Sequence, residues 1–142
     1  LPLKLKKADI PIAEAVSDIT VLKGKPILIA EDDDMNYFLI AEYLKETGCE
    51  CLHARDGREV LMYLHDRKDI VLVLMDLRMP VMNGVETFQK MKEMKFNIPV
   101  IAQTAFSLDD EKDKVKSIGF TDYIAKPINK KILLTKLCTI LK

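Results

Sequence analysis

The sequence lacks a long apolar run, a net charge and a framework of cysteines, and each absence excludes a class of protein. No apolar run comes near the roughly 18–20 residues that a membrane-spanning helix needs, and no apolar signal-peptide core stands at the N-terminus. The 22 Lys and Arg residues equal the 22 Asp and Glu residues in number, so no overall charge attracts nucleic acid or an anionic membrane. We therefore expect a soluble, cytoplasmic domain that contacts neither nucleic acid nor membrane.

The three cysteines, Cys49, Cys51 and Cys138, do not form a recognisable framework. An odd number argues against a secreted disulfide scaffold. Cys49 and Cys51 alternate in a short strand-like stretch and therefore share one face, where packing is the simpler role. A structural metal site would need a second pair of ligands, and His53 and His65 do not have the spacing to supply it.

The chain length of 142 residues suits one domain with one core. Residues 1–24 show no sustained period after the short alternation of LPLKLK, and we interpret them as an N-terminal linker. Residues 25–142 alternate between short apolar runs and amphipathic segments. The runs predict strands at 26–30, 49–54, 70–75, 98–103 and 121–125. The segments between them predict helices at 35–46, 56–66, 85–94, 107–118 and 129–141.

Five alternating strands and helices predict an α/β fold with a parallel sheet covered on both faces. In such sheets, ligands bind outside the carboxyl ends of the strands. Acidic, hydroxyl and ammonium side chains stand at those ends. They are Glu31, Asp32, Asp33 and Asp34 after the first strand, Asp76 after the third, Thr104 after the fourth and Lys126 after the fifth.

These side chains together predict phosphoryl chemistry, although each alone is more often a cap, a turn residue or a solvated charge. Carboxylates crowded at one edge repel each other unless a cation intervenes, and Mg²⁺ prefers such oxygen ligands. A metal also removes the repulsion between a carboxylate nucleophile and a phosphoryl group. Lys126 offers a second positive charge, Thr104 offers a hydroxyl donor, and an Asp carboxylate can form a covalent aspartyl-phosphate.

Four segments resemble the response-regulator receiver family: ILIAEDDDMN (27–36), LMDLRMPVMNG (74–84), IAQTA (101–105) and DYIAKPI (122–128). The D-x-x-M-P-x-M-x-G signature at 76–84 is specific, and the resemblance covers about residues 25–142. It implies a doubly wound, flavodoxin-like (βα)5 fold with a five-stranded parallel sheet in the order 2-1-3-4-5.

The resemblance also implies roles for individual residues. Asp76 matches the phosphoacceptor, Thr104 the hydroxyl that moves toward the phosphoryl group, Lys126 the strand-five lysine and Tyr123 the aromatic switch. The implied Mg²⁺ ligands are Glu31, Asp32, Asp76 and the backbone carbonyl of Arg78. Asp33 and Asp34 add acid beside the pair, and we do not predict either as a ligand. Such a domain catalyses its own phosphorylation and dephosphorylation and turns over no separate substrate.

The implied partner is a histidine kinase phosphoacceptor domain or a histidine phosphotransfer protein. A readout and homodimer surface is expected on helix 107–118, strand 121–125 and helix 129–141. Because residues 1–6 resemble the end of a kinase ATP-binding domain, we expect the receiver to belong to a hybrid sensor histidine kinase, whose other parts can include a membrane anchor. A free-standing regulator is the alternative.

Two enzyme or cofactor classes share parts of this pattern. An FMN-binding domain of the same architecture would need phosphate-binding donors after the first strand, where this chain has four acids that repel phosphate. A phosphatase with a strand-end Asp nucleophile would need a second Asp two residues on, where Arg78 stands. Both alternatives are therefore weaker than the receiver.

Overall fold

The computed structural model describes residues 18–105 and 109–142, which form a five-stranded parallel sheet in the order β2-β1-β3-β4-β5. The predicted fold class and strand order are confirmed. The strands are β1 (Pro26–Ala30), β2 (Glu50–Ala54), β3 (Leu72–Asp76), β4 (Val100–Thr104) and β5 (Asp122–Ala125). Asp76 and Thr104 are thus the last residues of their strands rather than the first residues of the following loops.

The five helices are α1 (Asp34–Leu44), α2 (Gly57–Asp66), α3 (Gly84–Glu93), α4 (Asp109–Ile118) and α5 (Lys130–Leu141). Four of these helices begin directly after a residue whose side chain accepts a hydrogen bond from a backbone N–H of the first turn. These caps are Asp33, Asp56, Asn83 and Asn129. The predicted Ser107 start of the fourth helix lies outside the described residues.

The first helix is shorter than its hydrophobic period predicted. It ends at Leu44, and Lys45–Thr47 tighten into a 3-10 turn that closes at Gly48. Gly48 has a φ of +75°, a conformation that glycine adopts without the steric cost of a side chain. Sequence periodicity continues through this turn, whereas the backbone hydrogen bonding changes.

Two apolar layers cover the sheet, because alternate residues of each strand point to opposite faces. Ile27, Ile29, Leu72 and Leu74 pack with residues of α1 and α5 on one face. Leu28, Ala30, Val73 and Met75 pack on the other face with residues of α2, α3 and α4. The central strands β1 and β3 are buried along their whole length, as expected for a sheet covered on both sides.

The folded unit extends beyond the predicted boundary at residue 25. Ile19–Leu22 form a 3-10 turn, and Leu22 is fully buried in the core layer that contains α1 and α5. The segment therefore packs as part of the domain, and the linker prediction now concerns residues 1–17, which lie outside the described residues. Among the described helices, none is both long and apolar enough to cross a bilayer.

Candidate functional site

The strand register places the candidate site on one face of the sheet at its carboxyl edge. Asp76 of β3 pairs with Gln103 of β4, and Gln103 pairs with Ile124 of β5. Paired residues in parallel strands point to the same face, so the side chain of Lys126, two residues after Ile124, starts from this face too. Glu31 follows β1 on the other side of Asp76, since Ala30 pairs with Met75.

Asp76 lies at the centre of this row and is only 3% exposed. Its Oδ1 accepts a hydrogen bond from the Arg78 backbone N–H at 3.0 Å, and its Oδ2 accepts one from Lys126 Nζ at 2.9 Å. Gly84, the first residue of α3, packs directly against the backbone of Asp76. A Cβ at Gly84 would lie 2.5 Å from the Asp76 carbonyl oxygen. That close approach explains the glycine at the end of the family signature.

Lys126 bridges two acidic residues across the site. Its ammonium lies 2.9 Å from Asp76 Oδ2 and 3.3 Å from Glu31 Oε1. Burial alone would lower the pKa of Lys126, but the hydrogen bond and charge of Asp76, with the charge of Glu31, outweigh burial and raise it. The lysine is therefore held fully protonated between the carboxylates.

Glu31 is buried, and both of its carboxylate oxygens have partners. Asn36 Nδ2 donates to Oε1 at 2.8 Å, and the Asp33 backbone N–H donates to Oε2 at 3.2 Å. Burial raises the pKa of Glu31, and the nearby charge of Asp76 raises it further, while Asn36 and Lys126 oppose the rise. His53 Nε2 donates to the Glu31 carbonyl oxygen at 2.8 Å and so fixes the backbone as well.

Asn36 and His53 are supporting residues that the sequence alone did not reveal. Asn36 stands five residues after Glu31, within α1, and His53 lies on the neighbouring strand β2. His53 also stacks on Tyr37, with ring centroids 3.8 Å apart. A polar residue one turn into the helix that follows an acidic strand end is the signal that could have identified Asn36.

The acidic cluster fits a divalent cation. Carboxylate oxygens of Glu31, Asp32 and Asp76 lie within 4.8 Å of one another. Hard oxygen ligands at this separation suit Mg²⁺, which keeps several of its waters and takes one or two protein carboxylates. Asp33 and Asp34 stay outside the cluster, since Asp33 caps α1 and Asp34 pairs with Arg55.

Thr104 and Tyr123 lie on the opposite face of the sheet from Asp76. Thr104 pairs with Ala125, and Ala102, two residues earlier on the same face, pairs with Tyr123. Thr104 is nearly buried, and it borders a cleft of about 190 Å³ with Asp76, Arg78 and Lys126. Four of the predicted site residues therefore border one cleft, whereas Tyr123 lines a separate cleft beside α5. Thr104 and Tyr123 share the face that carries α4.

The family model of the response regulator receiver domain matches residues 27–138. The chain belongs to this receiver family. A receiver of hybrid signal transduction histidine kinase I from Dictyostelium discoideum is 36% identical over 115 residues, which cover 75% of this chain and 7% of that kinase. The polar-differentiation response regulator DivK of Brucella anthropi is 32% identical over 108 residues, which cover 74% of this chain and 86% of DivK.

Among solved structures, this receiver superposes on the Saccharomyces cerevisiae receiver domain of Ssk1, which was crystallised with the histidine phosphotransfer protein Ypd1. The TM-score is 0.78 at 23% identity, with coverage of 84% of this chain and 90% of that chain. The likeness supports the fold. Receivers of a large hybrid kinase and of a small regulator are thus both similar to this domain, which acts in two-component signalling.

Proposed function

We propose that this receiver accepts a phosphoryl group on Asp76 from a phosphohistidine, in a Mg²⁺-dependent reaction. The observation that supports this role is the position of Asp76, which is bonded to Lys126 on one oxygen and lies in the acidic cluster with Glu31 and Asp32. The Asp76 carboxylate attacks phosphorus, and the bond from phosphorus to the histidine nitrogen breaks. The donor histidine takes up a proton at that nitrogen and leaves as a neutral imidazole.

The chain's own residues hold the reacting groups. Glu31, Asp32, Asp76 and the Arg78 carbonyl would hold Mg²⁺, which supplies positive charge against the phosphoryl oxygens when bound. The Arg78 backbone N–H holds one Asp76 oxygen and so orients the carboxylate. Lys126 stays protonated and places its ammonium beside the other oxygen. The Thr104 hydroxyl borders the cleft from the opposite face and donates to the transferred group.

The partner we propose is a histidine kinase phosphoacceptor domain or a histidine phosphotransfer protein. The surface of α1 beside the site exposes large apolar side chains, with Met35 77% exposed and Phe38 63% exposed. Leu39 lies next to them and is also exposed. Apolar side chains that cluster beside an active site favour docking of a partner helix, which would bring a phosphohistidine to the edge that holds Asp76.

The test of this function is labelling by acetyl phosphate, a small acyl phosphate, in the presence of Mg²⁺. We expect wild type to gain one acid-labile phosphoryl group and Asp76→Asn to gain none, because the amide is not a nucleophile. Asp66→Asn is the matched control, since Asp66 is an exposed acid at the end of α2. Acid-stable label that persists in Asp76→Asn would instead identify a Ser or Thr acceptor.

The metal proposal predicts local changes in amide NMR signals when Mg²⁺ is added. We expect shifts around residues 31–34 and 76–79, and we expect Asp32→Asn to weaken Mg²⁺ binding several-fold because it removes a ligand from the cluster. Asp34→Asn should bind like wild type, since the Asp34 carboxylate is engaged by Arg55 outside the cluster. Unchanged signals in wild type would contradict a magnesium site.

We propose a hybrid sensor histidine kinase as the parent protein, acting in the cytoplasm. The similarity to a hybrid-kinase receiver supports this context, and the similarity to DivK keeps a free-standing regulator as the second candidate. A tether to the kinase would raise the effective concentration of the donor and make the transfer largely intramolecular. Sequencing the gene upstream of the codon for Leu1 distinguishes the two.

A further inference from the structure

Gln103 is the most unusual polar residue in the described part of the sheet. It is 0% exposed, and neither its amide nitrogen nor its amide oxygen has a hydrogen-bond partner among the described residues. Central strands of a parallel sheet normally carry apolar residues, and an unsatisfied buried amide is costly because it has lost its water without gaining a partner. The other strand residues of β4 up to Thr104 are apolar.

The register places this amide beside the phosphoacceptor. Gln103 is the direct cross-strand neighbour of Asp76, and adjacent strands lie about 4.8 Å apart. It also pairs with Ile124 on its other side, so its side chain shares a sheet face with Asp76 and Lys126. Gln103 contributes to the wall of the cleft that Asp76 and Lys126 border.

Lys126 must pass Gln103 to reach its partners. The lysine follows β5, yet its ammonium is bonded to Asp76 at the end of β3, and β4 lies between these two strands. The side chain therefore crosses β4 on the face that holds the Gln103 amide. An ammonium has three N–H donors, of which Asp76 and Glu31 receive two.

We propose that Gln103 is a positioning residue for Lys126 in the phosphorylated receiver. This inference rests on the proposed function of Asp76. When the phosphoryl group forms, the ammonium follows its oxygens and leaves the shared position between Asp76 and Glu31. The Gln103 amide oxygen then accepts a hydrogen bond from Lys126, so an amide that destabilises the unmodified protein stabilises the phosphorylated one.

The proposal predicts effects of opposite sign in the two states. Gln103→Met keeps the length of the side chain and removes the amide, so the unmodified protein should unfold at a higher urea concentration. The same variant should bind beryllofluoride, a mimic of the phosphoryl group, about tenfold more weakly in the presence of Mg²⁺. Gln89→Met is the matched control, because Gln89 is an exposed residue on α3 and should change neither quantity.

A second variant tests whether Gln103 acts through Lys126. In a Lys126→Met background, Gln103→Met should weaken beryllofluoride binding less than twofold, since the hydrogen bond no longer has a donor. The side-chain amide signal of Gln103, assigned by its loss in Gln103→Met, should shift when wild type binds beryllofluoride and stay in place in Lys126→Met under the same conditions.

Three results would overturn the proposal: equal binding by Gln103→Met and wild type, equal weakening in both backgrounds, or an amide signal that beryllofluoride leaves unchanged in wild type. Each of these is distinct from a failure of the proposed function. If Asp76 is not labelled and wild type binds no beryllofluoride, the phosphoacceptor role itself is wrong. If wild type is labelled and binds the mimic normally while Gln103→Met matches it, only the role of Gln103 is wrong.

Discussion

At the scale of single residues, Cys49 and Cys51 illustrate how a neighbour changes chemistry that composition cannot show. Their sulfur atoms lie 3.9 Å apart at the start of the edge strand β2, and both half-buried residues pack against the core layer that contains α1 and α5. A hydrogen bond from the Cys51 thiol favours the Cys49 thiolate and lowers the pKa of Cys49 to about 7, against the opposing effect of burial. The same pairing, together with burial, raises the pKa of Cys51.

We predict that Cys49 is the thiol that reacts first with iodoacetamide. Because the thiolate is the nucleophile, its alkylation rate should rise through about pH 7, whereas burial raises the pKa of Cys138 and should keep that thiol slow. Peptide mass spectrometry after short exposures over a pH series measures each site separately. Cys51→Ala should move the Cys49 profile to higher pH, and three indistinguishable profiles would contradict the pairing.

The acidic residues after β1 show the same dependence on neighbours. Four acids stand side by side in the sequence, yet each has a different environment. Glu31 is buried and accepts a hydrogen bond from Asn36, Asp32 is exposed in the acidic cluster, Asp33 caps α1 and Asp34 pairs with Arg55. The resemblance to the receiver family distinguishes Glu31 and Asp32, the predicted ligands, from Asp33 and Asp34. Their contacts differ because the fold brings the partners from separate elements: Asn36 lies on α1, and Arg55 follows β2.

At the scale of elements, the starts of α2 and α3 pack closely beside the β3–α3 loop. The Gly57 backbone N–H donates to the Met82 carbonyl oxygen at 3.2 Å. A Cβ at Gly57 would lie 2.7 Å from that oxygen, and the Thr87 hydroxyl would be closer still. The glycine therefore allows the two helices and the loop that follows Asp76 to pack together. Glycine is required here because a side chain would not fit, not because the backbone has a positive φ.

We predict that Gly57→Ala destabilises the domain by about 1–3 kcal/mol, the usual cost of forcing extra atoms into a packed site. Urea unfolding measures the change. Arg58→Ala is the control, because Arg58 is the next residue of α2 and is exposed, and it should lie within about 0.5 kcal/mol of wild type.

Thr87→Ala in the Gly57→Ala background should recover part of the loss, since it removes the closest of the obstructing atoms. Full stability of the single variant Gly57→Ala would show that the two helices can separate freely.

The secondary-structure elements themselves follow well from the sequence. The apolar runs and amphipathic segments predicted five strands and five helices, which formed within about two residues of their predicted limits. The larger differences lie at strand ends and in the turn after α1. A strand ends where its hydrogen bonds to the neighbouring strand end, and the sequence of one strand does not specify which residues of its neighbour it pairs with.

At the scale of the whole molecule, the two faces of the sheet carry different parts of the candidate site. Asp76 and Lys126 lie on the face covered by α1 and α5, whereas Thr104 and Tyr123 lie on the face that carries α4. A Thr104 hydroxyl drawn toward a phosphoryl group would vacate space that Tyr123 could fill. Such a change shifts the balance between two packings, so it requires contacts that differ between them.

We predict that beryllofluoride, in the presence of Mg²⁺, changes amide hydrogen exchange mainly in segment 107–118, strand 121–125 and segment 129–141. Tyr123 lies within this surface, and Lys136 of α5 stands over its ring at 5.2 Å, so a movement of Tyr123 reaches α5 directly. Hydrogen exchange with mass-spectrometric detection, with Asp76→Asn as the control, measures it. Changes confined to α1 and α2 would place the readout surface elsewhere.

The sequence by itself determined the fold class, the parallel sheet and the residues at the strand ends, because hydrophobic periodicity and position after a strand are local properties. Only the tertiary structure decided how those residues combine. Lys126 reaches across β4 to Asp76, the Asn36 amide donates to Glu31, and Gln103 lies buried beside Asp76. These contacts depend on strand order, register and helix packing, which join residues far apart in the chain and which no single segment encodes.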